Sequence, residues 1–343
     1  MGRRGGKAAG SISQVPRQRG EIVKTVVLLR KGEAALLEKE RPDCVPDTML
    51  LKTIYSGLSN GTERNQLMGG NYCTGGYPRT PGYQSVSRVV ERGSQVSRFE
   101  VGDIVITGTQ RAHSEYYTIR ETDLAAKLPE GFDLEEASLL SVASVSYHDA
   151  KRAGVTADDR VLVFGAGLIG QFTVQACRYF GAEVTVTDPH PERLALAREL
   201  GASRTVVARA PDTDERLYEH KPYSVVFECS GADVLDRIVG TTWAGGLLGE
   251  RGRLVMIAGR REVTYICNAA QSREIAILHA KHFEQKDLDE VIEHVQAGRI
   301  SIRPLIRDVV PIEDAVRIYE TLRDDRSRLM GTVFKWENGD GSD

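Results

Sequence analysis

Residues Arg160–Asp188 read RVLVFGAGLIGQFTVQACRYFGAEVTVTD. A short β-branched run, Arg160–Phe164, enters the turn Gly165-Ala166-Gly167-Leu168-Ile169-Gly170. An apolar-periodic stretch, Leu168–Phe180, then predicts a helix closed by Gly181. A second strand, Glu183–Thr187, ends at Asp188. This is G-x-G-x-x-G between a strand and a helix, the setting in which it binds a dinucleotide. Gly165 makes the tight turn, Gly167 admits the pyrophosphate to the backbone, and Gly170 lets helix and strand pack closely. The amides that open the helix, at Leu168 and Ile169, then face phosphate. Asp188 stands 18 residues past Gly170, close to the spacing of a ribose-binding acid. A carboxylate there accepts both ribose hydroxyls of NAD and repels the extra phosphate of NADP. Arg193, about one helical turn further on, opposes that preference because it suits adenine stacking or a 2′-phosphate. Ser230 and the pair Ala258-Gly259 follow later strands, where the nicotinamide half should lie.

Outward from this unit, strands and helices alternate. Pro191–Leu200 reads as a helix; Arg204–Ala208, Ser224–Cys229 and Arg253–Ala258 read as strands. The alternation predicts a doubly wound parallel sheet covered on both faces. The N-terminal part differs. Ile22–Leu29, Met49–Ser56, Ser85–Glu91 and Asp103–Thr107 are strand candidates punctuated by glycine and proline, as in a small β-rich domain. Helices are predicted over Asp133–Leu140, with Asp133 as N-cap, and over Ser144–Gly154. Late helices are expected at Lys286–Ala297 and Ile312–Leu322. A last strand, Thr332–Trp336, is placed to return to the first domain.

The 343 residues suit two domains, and the hydrophobic content of 41% is ordinary for a globular chain. A net charge of −3 gives no field for nucleic acid or an anionic membrane. No apolar run is long enough to span a bilayer. Five scattered cysteines form no CxxC pair, which speaks against a disulfide framework and points to a reducing cytoplasm. Residues 1–20 are basic and glycine-rich and read as a disordered tail, as do residues 338–343.

With these motifs in place the chain resembles the medium-chain dehydrogenases/reductases over about residues 21–337. The resemblance is carried by SGLSNGTE (Ser56–Glu63), PGYQSVSRVVERGSQVSRFEVGDIV (Pro81–Val105), the glycine turn and PIEDAVRIYETL (Pro311–Leu322). It implies a GroES-like catalytic domain from residues 21–146 and 288–337, a Rossmann domain over 147–287, and a reaction in the cleft between them. It also implies a homodimer, joined through the apolar segment Glu274–Ala280. The zinc members hold metal with a cysteine, a histidine followed by glutamate, and a third cysteine or acid. Those positions are read here as Ser56, Tyr83 followed by Gln84, and Ser141. Hydroxyls are poor zinc ligands, and the four-cysteine lobe is missing, so a metal-free site is expected. SGLSNGTE with PGYQ looks most like the branch of the bacteriochlorophyllide hydroxyethyl dehydrogenase.

Without metal, a side chain must move the proton. Candidates are Glu63, Tyr83, Tyr147, His148 and Ser56. Each has a plainer alternative: Glu63 capping the turn or pairing with Arg64, Tyr83 filling a void, Tyr147 packing between domains, His148 facing away, Ser56 as a small filler. His113, His279 and His282 show no partner in the sequence and stay unassigned. Three functions fit. The first is a zinc-independent NAD-dependent dehydrogenase for a secondary alcohol of a polar metabolite such as a cyclitol, a sugar or a hydroxyethyl group. The second is an NAD(P)H-dependent quinone or enoyl reductase, and the third a nucleotide-binding redox sensor without catalysis.

Overall fold

The computed structural model describes residues 20–109, 112–243, 245–279 and 281–336. The two tails expected at the ends of the chain therefore lie, apart from Gly20, outside the described residues. Strands β1 (Ile22–Arg30) and β2 (Glu33–Glu40) form an antiparallel hairpin. Then come β3 (Thr48–Gly57), α1 (Asn60–Leu67), β4 (Ser85–Arg92), β5 (Ile104–Thr107), β6 (Tyr116–Arg120) and β7 (Ala125–Lys127). Two helices follow, α2 (Leu134–Ala137) and α3 (Leu140–Ala153).

The alternating block runs β8 (Arg160–Phe164), α4 (Leu168–Tyr179), β9 (Glu183–Asp188), α5 (Pro191–Glu199), β10 (Arg204–Val207) and α6 (Thr213–Glu219). It continues through β11 (Tyr223–Glu228), α7 (Leu235–Val239), β12 (Leu248–Met256), α8 (Cys267–Gln271) and β13 (Ala276–His279). The chain ends with α9 (Gln285–Gln296), β14 (Asp308–Pro311), α10 (Ala315–Asp324) and β15 (Thr332–Lys335).

Among the described residues, the block forms a parallel sheet in the order β10-β9-β8-β11-β12-β13. The order reverses between β8 and β11, and that switch point opens a crevice at the strands' carboxyl ends. The residues of β8 show why the sheet needs helices on both faces. Val161 and Val163 bury in one apolar cluster, Leu162 and Phe164 in another on the opposite face. The other large sheet runs β14-β15-β3-β4-β5-β7, with β6 also on β3. β15 pairs antiparallel with β3, so the late strand does return to the β-rich sheet.

Two helix boundaries differ from expectation. Asp133 caps a helix, accepting from the amides of Glu135 and Glu136, but that helix stops at Ala137. The next begins at Leu140 rather than Ser144, which puts Ser141 in its first turn. α3 docks on α4 through Ser146, whose hydroxyl donates to the Ile169 carbonyl at 3.0 Å. The same helix buries Asp149, 3% exposed. Burial, then the nearby Asp287 carboxylate, push its carboxyl up to about 8.

An acid raised in the fold binds more protons than in the unfolded chain, so its stability contribution is full below about pH 4 and is lost as pH climbs through 8. The slope in that window is about 1.4 kcal/mol per pH unit at most. Asp149→Asn should therefore flatten the fall in urea midpoint between pH 6 and pH 8.5. Equal falls in both proteins would refute this account of Asp149.

Candidate active site

The glycine turn has the geometry its three glycines require. Gly165 sits at φ +95°, and a Cβ there would meet Ser230 at 3.1 Å. A Cβ on Gly170 would fall 1.8 Å from the Gly165 carbonyl oxygen, so any larger residue would part helix from strand. A Cβ on Gly167 would meet nothing within 4 Å. That open face, beside the first turn of α4 with Leu168 and Ile169, is a cradle of the shape a pyrophosphate needs.

Asp188 closes one side of the cradle. Its Oδ2 accepts from the Ala166 amide at 2.8 Å and its Oδ1 from the His190 amide at 2.9 Å. The carboxylate is thus fixed against the turn and 5% exposed. Arg193 reaches across to the Ser327 carbonyl with its guanidinium, while its buried Nε has no hydrogen-bond partner. Arg326, in the segment after α10, is exposed, and partial desolvation with the charges of Arg64 and Arg193 pulls its guanidinium down. Three arginines from three segments, Arg64, Arg193 and Arg326, therefore come close together, and sequence spacing gave notice of one. Arg64 does not pair with Glu63; it donates to the carbonyls of Leu322 and Arg323.

At the switch point, the Glu228 carboxylate accepts from the Ser230 amide at 2.9 Å, the Ser230 hydroxyl at 2.6 Å and the Gly231 amide at 2.9 Å. Its other oxygen is ion-paired with Arg260. The Ser230 hydroxyl is therefore committed to shaping its own loop. Ala258 and Gly259 follow β12 at the same end of the sheet, with Gly259 at the surface of the cleft.

Across the cleft, Tyr83 is buried at 7% exposure, and the Ser59 hydroxyl donates to its Oη at 3.2 Å. Ser59, not Ser56, faces Tyr83. Ser56 is still in β3, opposite Phe334 and Ser85, and its hydroxyl points into the sheet's own core. The chain must turn through Gly57 and Leu58 before Ser59, the residue ahead of α1, swings toward Tyr83.

Gln84 ties backbone together, donating to the Gly57 carbonyl at 3.3 Å and accepting from the Val142 amide at 3.2 Å. Ser141 donates to the Thr107 carbonyl at 3.1 Å. Two hydroxyls, a phenol and an amide do not make a zinc donor set. Among the described residues, no group of three or more His, Cys, Asp or Glu side chains could hold a metal ion.

Beneath Ser59 lies a polar cluster that the sequence concealed. Glu63 and His113 are fully buried. The Glu63 carboxylate accepts from the Ser59 amide at 2.8 Å, from His113 Nε2 at 3.1 Å and from the Tyr319 hydroxyl. His113 Nδ1 lies 2.8 Å from the Ser56 hydroxyl, which itself accepts from Trp336 Nε1 at 2.8 Å. His113, left without a partner at sequence level, is the hub; its partners lie 50 and 57 residues away in the chain. Five separate parts of the chain supply this cluster (β3, α1, the segment before β6, α10 and the residue after β15), so no local pattern could have marked it.

His282 meets Tyr83 edge-on, ring centroids 5.3 Å apart. Burial pushes its imidazole down to about 4, so it is neutral at physiological pH. Burial holds the Tyr83 phenol well above its ordinary range, against the Ser59 hydrogen bond and with help from Glu63 and Tyr72. Tyr147 and His148 are not part of this group. Tyr147 packs among Tyr179, Phe180 and His294, with its hydroxyl 3.2 Å from His294 Nε2. His148 binds Asp287 at 2.7 Å. Both face the seam between α3 and α9, because that is the side of α3 where positions 147, 148 and 151 meet Asp287 and Glu290.

Comparison with known proteins agrees with this architecture. The family described as zinc-binding dehydrogenase matches residues 169–297. Sorbitol dehydrogenase 1 of Saccharomyces cerevisiae is 28% identical over 339 residues, covering 86% of this chain and 93% of the yeast protein. A 2-dehydro-3-deoxy-L-galactonate 5-dehydrogenase of Pseudoalteromonas atlantica is 30% identical over 272 residues, 69% of this chain and 77% of that one. The solved structure of a short chain alcohol dehydrogenase from Escherichia coli CFT073, complexed with NADH, shares the fold with a TM-score of 0.81 at 18% identity, covering 92% of this chain and all of that one. The chain belongs to the zinc-type alcohol dehydrogenase-like family of the medium-chain dehydrogenases/reductases, oxidoreductases acting on CH–OH donors.

Proposed function

We propose that this protein is a zinc-independent, NAD-dependent dehydrogenase that interconverts a secondary alcohol and a ketone on a polar, polyhydroxylated metabolite. The observation that carries the reading is the Tyr83–Ser59 pair. The resemblance puts this phenol, which keeps its proton, at the position where zinc relatives hold a metal ligand. Bound nicotinamide supplies the hydride acceptor or donor.

Gly165, Gly167 and Gly170, with the helix-opening amides of Leu168 and Ile169, would hold its pyrophosphate. Asp188 would take the ribose hydroxyls, and Arg193 with Arg326 would flank the adenosine. Because Ser59 donates to Tyr83 Oη, the phenol's own proton is free to point into the cleft. Tyr83 gives that proton to a ketone oxygen during reduction, and the Ser59 hydroxyl supports the phenolate until water restores it. Alcohol oxidation reverses the path. The polyol class is supported by the sorbitol and galactonate relatives, and the family favours alcohol chemistry over quinone reduction or a silent sensor. We further propose a homodimer through β13, the outer strand of its sheet; light scattering should give twice the chain mass, and a monomer at every concentration would remove it.

The test follows absorbance of the reduced nicotinamide with chelator-treated protein, NAD or NADP, and a panel from sorbitol to simple secondary alcohols. Turnover should survive chelation and favour NAD. Asp188→Ala should weaken NAD by about tenfold or more, the loss of a charge-assisted hydrogen bond, and narrow the NAD/NADP preference. Activity lost on chelation and restored by zinc would overturn the metal-free reading, and a wild type that prefers NADP would overturn the role given to Asp188.

A further inference from the structure

One phenol in the cleft is not used by the mechanism above. Tyr72 lies in the 69–77 segment between α1 and β4, and its ring rests on the backbone of Gly259 from the parallel-sheet side. A Cβ on Gly259 would fall 2.0 Å from Tyr72 Oη and 2.2 Å from its ring carbon Cζ. Glycine at 259 is therefore the condition for this contact. The segment is held in place rather than loose. Asn65 Oδ1 accepts from the Tyr72 amide at 2.8 Å, Asn65 Nδ2 donates to Asn71, and Arg79 donates to the Tyr72 carbonyl at 3.0 Å.

The side chain is partly open, 36% exposed. Among the described residues its hydroxyl takes part in no hydrogen bond. Yet it is close enough to Tyr83 for the two phenols to sense each other's charge. A polar group held at the rim of a catalytic cleft, with an unused donor and acceptor, is what a hydroxylated ligand requires.

We propose that Tyr72 is a substrate-contacting, specificity-determining residue, its hydroxyl hydrogen-bonding the substrate hydroxyl next to the reacting carbon and so selecting vicinal diols and polyols over simple alcohols. The inference rests on the dehydrogenase reading above. Tyr83 addresses the reacting oxygen, and Tyr72 addresses its neighbour from the Gly259 side. A monoalcohol leaves Tyr72 Oη to water at no cost, whereas a diol gains a bond that the wild type alone can make.

Tyr72→Phe keeps the ring and removes the hydroxyl. With 2,3-butanediol and 2-butanol as a matched pair, the variant should lose about tenfold in kcat/KM on the diol, the worth of one neutral hydrogen bond, and stay within about twofold on the monoalcohol. The affinity for NADH, read by quenching of tryptophan fluorescence, should not change.

Gly259→Ala pushes the phenol away without removing it. Added to Tyr72→Phe, it should leave the diol-to-monoalcohol ratio where the single change put it, because both act on one contact. In Tyr72→Phe, equal losses on the two alcohols or an altered NADH affinity, and in the double variant a further fall in the ratio, would each overturn the assignment. A wild type silent across the whole alcohol panel would be failure of the dehydrogenase reading itself, and is distinct from an active wild type whose ratio Tyr72→Phe leaves unmoved.

Discussion

Tyr83→Phe should lower kcat/KM for the alcohol–ketone reaction by about 10²–10⁴-fold, the range that a positioned general acid contributes. NADH affinity should stay the same, because Tyr83 stands on the far side of the cleft from Gly165–Gly170. The pH profile adds a test that loss of packing would not mimic. With its phenol held above the ordinary range, Tyr83 keeps its proton through neutral pH. Reduction, which spends that proton, should be flat there and decline well into the alkaline range. Oxidation, which needs the phenolate, should still be climbing at that point. A variant with unchanged kcat/KM, or a wild type whose oxidation rate levels off near neutrality, would take the proton away from Tyr83.

The second large effect is on folding. Glu63→Ala should destabilise the protein by several kcal/mol, since each buried donor left without its acceptor costs about 1–3 kcal/mol. Three donors lose their acceptor at once: the Ser59 amide, His113 Nε2 and the Tyr319 hydroxyl. An unfilled buried space adds to the loss. His113→Ala should cost less, since Glu63 then keeps two of its three donors. Urea unfolding of both variants checks the order. A Glu63→Ala protein as stable as the wild type would mean that the cluster is solvated and that the packing around Glu63 has been misread. Because Ser59 hangs from Glu63 by its amide, the activity of either variant should fall with the fraction folded and also with the position of Ser59.

The cofactor half of the molecule was legible in the sequence because its parts are local. Gly165, Gly167, Gly170 and Asp188 fall within 24 residues of one another, and each answers to a backbone requirement that few other residues meet. The candidates of the other half could be named as residue types but not placed in space. Tyr83, Gln84 and Ser141 could be picked out through the family resemblance, as residue types at the positions it assigns to zinc ligands. The choice between Ser56 and Ser59 could not, since it depends on where β3 ends and the chain turns. Tyr147 and His148 sit near Ser141 in sequence, yet their helix presents them to Asp287 and His294. His113 was missed because its worth lies wholly in contacts with Ser56 and Glu63, made across the sheet. Arg326 was missed likewise, coming beside Arg64 and Arg193 through a fold that joins three distant segments.

The pairing of β15 with β3 carries a consequence for how the protein is made. Tyr319 and Trp336, which complete the partners of Glu63 and Ser56, are synthesised after the whole nucleotide-binding sheet. A chain emerging from the ribosome can close the cradle at Gly165–Gly170 early, but until β15 and Trp336 have cleared the exit tunnel the end of β3 has an open edge and Ser56 lacks a donor. The nascent protein therefore completes its glycine turn before it completes the cluster around Ser56 and Glu63, and that interval is when it depends most on being protected from other unpaired strands.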